Sequence, residues 1–177
     1  MMTSNKIITN RKKILEAVKQ EGGALEYASD SLKADHEVVL EAVKQDGNAL
    51  EYASDSLKAD RELVLEAVKN LGQKLWHERR YDVFEYASDS LKADREVVLE
   101  VVKLDGDTLQ EVSKELQNDK DIVMAAVKHS GNALEYASEN LKNDKEVVLE
   151  AVKSDERAMV FASKNLKSDK DIKSVIS

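Results

Sequence analysis

The sequence predicts an all-α protein: an elongated αα-hairpin repeat solenoid of two-helix units, 25 residues each, six complete and a terminal half unit. Three observations predict it. The decapeptide from Glu26 to Asp35 recurs unchanged at 51–60 and 85–94, with looser copies at 135–144 and 160–169. Gly22, Gly47 and Gly72 lie 25 apart, Gly106 follows 34 later, and Gly131 is again 25 on. Proline is absent and aromatics are only 5% of the 177 residues, which suits helices and argues against a sheet sandwich. Repeats of this length bury a core only against their neighbours, so the expected product offers surface and not a deep pocket.

Residues 1–9 read as a basic N-terminal tail, and 10–177 as a single repeat array with units starting near 10, 35, 60, 94, 119, 144 and 169. Each unit opens on a polar cap: Asn10, Asp35, Asp60, Asp94, Asp119, Asp144 and Asp169. In the second unit the first helix then carries Val38, Val39, Leu40, Ala42 and Val43. These cover an arc of roughly 200°, wider than an ordinary surface stripe, as expected of a helix covered on two sides. Gly47 is expected to supply a left-handed residue that ends this helix. Asn48-Ala49-Leu50-Glu51 reads as a capping box opening a second helix, which buries Ala49, Leu50, Tyr52, Ala53 and Leu57. Short connections make successive helices antiparallel neighbours, and helices of about ten residues are too short to be stable alone.

The motif Val39-Leu40-Glu41-Ala42-Val43-Lys44, continued by Asp46-Gly47-Asn48-Ala49-Leu50 and Tyr52-Ala53-Ser54, resembles the repeat known as domain of unknown function 4116. The resemblance runs over residues 10–177. It implies a helical repeat module of the kind found in interaction or effector proteins, and it brings no catalytic residues.

Departures from the repeat mark the candidate sites. Nine extra residues, Gln73 to Tyr81, interrupt the third unit and hold the single tryptophan and a basic cluster. Val64, Val68, Leu71 and Leu75 are spaced 4, 3 and 4, which predicts that the third unit's first helix runs through Gly72 to about Arg79. On one reading this helix projects and presents Trp76, His77, Arg79, Arg80 and Tyr81 to a partner, residue types enriched at binding hot spots. On the other, Leu75 and Trp76 fold back onto a neighbouring helix and the arginines keep the outside wet. The aromatic ladder Tyr27, Tyr52, Tyr86, Tyr136 and Phe161 also has two readings, a column of core rings or a half-exposed peptide groove. Glu111 interrupts the ladder and places that position at the edge of the core.

Net charge is −8, with +4 in residues 1–13 and +2 in 73–81, so the rest carries −14 (−8 less 4 less 2). An acidic body disfavours binding along a phosphate backbone. Basic ladders (Arg11, His36, Arg61, Arg95, Lys120, Lys145, Lys170; Lys19, Lys44, Lys69, Lys103, Lys128, Lys153) run beside acidic ones (Glu37, Glu62, Glu96; Glu41, Glu66, Glu100). Mixed signs fit a solvated face, and an acidic partner is the alternative. The sixth unit has Glu156-Arg157 at the usual Gly-Asn pair, which predicts a distorted turn or an extended helix. Lys173 and Ser174 replace apolar residues of the preceding unit, as in a terminal helix with a polar outer face or a fragment of a longer array.

Without cysteine there is neither disulfide nor thiolate metal site. His36, His77 and His129 are scattered, which argues against a metal centre, and the recurrent serines have no base beside them. The expectation is a non-enzymatic protein-interaction scaffold with no cofactor, no membrane span and a protein partner of unstated identity. It would work in the cytoplasm or as a secreted effector in a host cytosol. A nucleic-acid-binding repeat and a structural spacer are the competing classes, and the repeats leave oligomeric state open.

Overall fold

The computed structural model describes residues 7–70 and 83–175. These are helical apart from turns, extended links and a single parallel bridge between Ile8 and Ala28, and they form an all-α helical repeat. The chain divides into two compact blocks, Met1–Ser88 and Asp89–Ser177, each built by the same rules.

The leading helix of each repeat follows its predicted cap. In the first block these are Arg11–Gln20, His36–Gln45 and Arg61–Lys69; in the second, Arg95–Leu104, Lys120–His129, Lys145–Ser154 and the short Lys170–Lys173. Asn10, Asp35, Asp60, Asp94, Asp119, Asp144 and Asp169 each accept a hydrogen bond from a first-turn backbone N–H with a side-chain oxygen. The free donors of the helix start are thereby satisfied, typically worth about 1 kcal/mol each. The wide apolar arc is buried as predicted: Val38, Val39, Ala42 and Val43 are all fully covered, and Leu40 is half-buried. Within each block, leading helices pack against the leading helices of adjacent repeats.

The second helix is divided, contrary to the expectation of one continuous element. In the second repeat it is a 3-10 segment, Gly47–Tyr52, then extended Ala53 and Ser54, then a four-residue α-helix, Asp55–Lys58. The division serves a bond between repeats. Extended backbone lets the Ser54 N–H donate to the Lys33 carbonyl at 2.9 Å, and Ser88 to Lys58 at 2.9 Å. In the second block Ser113, Ser138 and Ser163 donate likewise to Lys92, Gln117 and Lys142. Ser29 uses Ile8 as acceptor at 3.0 Å while the Ile8 N–H donates to Tyr27. The recurrent serine is thus a junction residue and not only a small packing residue. The cap of the 3-10 segment also differs from the prediction: Asp46 accepts from the Asn48 N–H at 3.1 Å, so the cap lies two residues before Asn48.

The closing turn depends on one residue. Where it begins with Asp30, Asp55, Asp89 or Glu139 it is an α-helix; where it begins with Lys114 or Lys164, a 3-10 turn forms instead at Leu116–Asn118 or Leu166–Ser168. An acid favours the positive end of a helix and a lysine opposes it. Leu116 and Leu166 become half-exposed in consequence, and Gln117 is buried instead, its amide donating to the Leu109 carbonyl at 2.9 Å.

The glycine expectation needs correction. None of the described glycines has positive φ, and five of the seven leading helices end on extended residues such as Asp46, at φ −151° and ψ 111°. Glycine is required by close approach. A Cβ on Gly22 would lie 2.5 Å from the Ala42 carbonyl oxygen of the next leading helix. A Cβ on Gly47, Gly106 or Gly131 would lie closer still to the oxygen of Ala67, Ala126 or Ala151. In the sixth repeat Glu156 is exposed at this position, and its turn is not distorted: Asp155 at φ −150° caps a regular 3-10 segment, Glu156–Phe161. Ile172 of the last short helix is buried, with Lys173 and Ser174 exposed, as the polar substitution predicted.

Candidate functional site

The insertion residues Trp76, His77, Arg79, Arg80 and Tyr81 lie outside the described residues. So do Gly72 and the expected extension of the third leading helix to Arg79, which is described to Lys69, with Asn70 in αR conformation.

The aromatic ladder occupies the last position of each 3-10 segment. Tyr27 is 37% exposed, and Tyr52, Tyr86, Tyr136 and Phe161 are half-buried, so the rings stand at the rim of the core. Glu111 fits that place because the Lys92 ammonium lies 3.7 Å away and supplies the charge a partly buried carboxylate needs. The fully buried layer lies beneath: Leu25, Leu50 and Phe84 in the first block, Leu109 and Leu134 in the second.

The basic ladder is tied to the acids of the next repeat. Arg11 pairs with Asp35 at 2.7 Å and with Glu37; His36 lies 3.6 Å from Asp60. In the second block Arg95 meets Asp119 and Asp121, Lys120 meets Asp144 and Glu146, and Lys145 meets Asp169 and Asp171. The arginine and lysine hydrogen bonds hold Asp35, Asp119, Asp144 and Asp169 below the ordinary carboxylate value, with the capped backbone N–H groups adding to the effect. Lys120 is pushed up to about 12 by Asp144 and Glu146. The cap carboxylates therefore do two jobs, closing a helix and clamping the preceding repeat. The post-cap part of the predicted mixed-sign face is thus a set of junctions.

One groove departs from this pattern. It lies in the second block between the leading helices Arg95–Leu104 and Lys120–His129. Leu99, Met124 and Ala125, all half-buried, line it, and Lys103, Lys128 and His129 stand exposed around it. Elsewhere a glutamate occupies the position of Ala125: Glu16, Glu41, Glu66, Glu100 and Glu150. Glu41 shows what that acid does, lying 3.8 Å from Lys19 and 3.2 Å from Lys44. With alanine at 125, the residue that would meet Lys103 and Lys128 carries no charge. His129 accepts the Gly106 N–H on Nδ1 at 3.1 Å, which turns Nε2 away from that bond. Sequence reasoning missed this groove; its signal was Ala125, the one break in the glutamate ladder among the six complete repeats.

Among the described residues no group of three histidines, cysteines or acids is gathered as for a metal ion, and no helix is long and apolar enough to cross a membrane. No curated protein and no solved structure matches the chain. One family model does, five times, over residues 10–58, 35–92, 60–117, 94–142 and 144–173. The matches tile the chain repeatedly, and it belongs to the family described as Domain of unknown function (DUF4116).

Proposed function

We propose that the protein is a non-enzymatic interaction scaffold of the cytoplasm or of a host cytosol, whose repeat surface and Trp76-bearing insertion engage a protein partner. The observation that supports this most is a row of half-buried apolar side chains at one fixed repeat position. Each block carries its own row: Leu15, Leu40 and Leu65 in the first, and Leu99, Met124 and Leu149 in the second. A monomer gains little from leaving such a row partly wet at every step, whereas a partner laid along the row of either block buries one anchor per repeat.

The test is affinity capture with the intact chain, a form lacking residues 73–81, and a form with Leu40, Leu65, Leu99 and Leu149 changed to Ser. Circular dichroism checks each fold. The reading expects a protein captured by the intact chain and lost with the deletion, the serine form or both. Capture unchanged in both variants, or catalytic turnover by the purified chain, would count against it.

A further inference from the structure

We propose that the groove between the leading helices Arg95–Leu104 and Lys120–His129 is a docking site for an acidic, amphipathic peptide segment of a partner protein. The inference rests on the scaffold reading and names the partner chemistry for one place on it. Three features carry it. The lining is apolar, through Leu99, Met124 and Ala125. Lys103 and Lys128 have no ion pair among the described residues, and the acid that meets both neighbouring lysines in the second repeat, Glu41, is replaced here by Ala125. The one acid lining the groove, Asp121, is already held by Arg95 at 2.7 Å. Beyond the groove, Glu150 of the next leading helix makes no ion pair with Lys128. Local charge is therefore positive on a chain of net charge −8.

The chemistry selects the occupant. Two ammonium groups and an imidazole surround a strip wide enough for apolar anchors, so a ligand needs carboxylates flanking aliphatic side chains. A helix with glutamates beside leucines has that arrangement. A nucleic acid would meet the lysines but would have no aliphatic groups for Leu99 and Met124.

The test uses the full chain and a fluorescein-labelled synthetic peptide repeating Glu-Glu-Leu-Leu, followed by fluorescence anisotropy. Ala125→Glu restores the residue found in the other repeats, so the fold is retained, and circular dichroism verifies it. The proposal expects binding by the natural chain and weakening of about tenfold or more in Ala125→Glu, as a like charge placed against the ligand's carboxylates produces. Lys103→Gln combined with Lys128→Gln is expected to weaken it similarly. Absence of binding by the natural chain, or equal binding by Ala125→Glu, overturns it. A peptide with its leucines changed to serine, or an oligouridylate, binding as tightly would also overturn it, since charge alone would then suffice. Self-association of the chain abolished by Ala125→Glu would assign the groove to a second copy and overturn it too. A captured partner retained by Ala125→Glu but lost with residues 73–81 would remove this proposal and leave the scaffold reading standing.

Discussion

Gly22 and Gly23 stand side by side and offer a direct test of why the repeat keeps its glycine. Neither has positive φ, so both tolerate alanine as far as backbone conformation is concerned. Changing glycine to alanine at such a site commonly stabilises by about 0.4–1 kcal/mol, because the unfolded chain loses freedom. Gly23 has nothing within 4 Å of a new Cβ, and Gly23→Ala should show that gain. At Gly22 the Cβ would lie 2.5 Å from the Ala42 oxygen and 2.8 Å from the Asp46 Cβ, against the 3.0 Å that real Cβ contacts keep. The oxygen belongs to a helix backbone and cannot rotate away, so the two repeats must separate by about half an ångström. Overpacking of this kind costs about 1–3 kcal/mol, which exceeds the entropic gain. Gly22→Ala is therefore expected to be less stable than Gly23→Ala by about 2 kcal/mol. Urea unfolding followed by far-ultraviolet circular dichroism reads the difference as a shift in midpoint. Slopes must be compared as well, since repeat arrays can lose cooperativity. Equal midpoints for the two variants would refute the close-approach argument.

Phe84, fully buried in the first block, should lose about 3–5 kcal/mol on Phe84→Ala, read from the same urea curves. Asp119 accepts from the Asp121 and Ile122 N–H groups, so Asp119→Ala should cost about 1 kcal/mol from the lost cap, seen as a lower midpoint. Asp35, Asp119, Asp144, Asp155 and Asp169 all have folded values below the ordinary 3.8, Asp155 at about 2 through its Arg157 hydrogen bonds. Such groups contribute stability above pH 3.8 that is lost as pH falls through the depressed values. Thermal midpoints should hold from pH 7 to about 5 and drop between about 4 and 2. Lys145→Gln, at an exposed junction, should lower the urea midpoint only slightly, because solvent screens such pairs.

Much of the array was legible because its determinants are local. An aspartate before an apolar helix pattern marks a cap wherever it occurs, and all seven predicted caps carry that role in the structure. The wide apolar arc of Val38, Val39, Ala42 and Val43 foretold burial on two sides, and the carboxylate of Glu111 foretold the rim position of the tyrosines. The glycine was located correctly and explained wrongly. Its spacing is a property of the chain, but the oxygen it must admit belongs to a residue twenty positions later, and only packing brings that oxygen near.

The same distinction separates what the sequence by itself determined from what tertiary structure decided. Repeat length, helix starts, the all-α class and the family follow from short-range patterns, which act within one helical turn or recur at a constant interval. The split of the second helix at Ala53 and Ser54, the use of cap aspartates as clamps, and the groove beside Ala125 follow from contacts between repeats. A junction bond such as Ser54 to Lys33 makes an extended link better than another helical turn, and that preference exists only when the neighbouring repeat is in place.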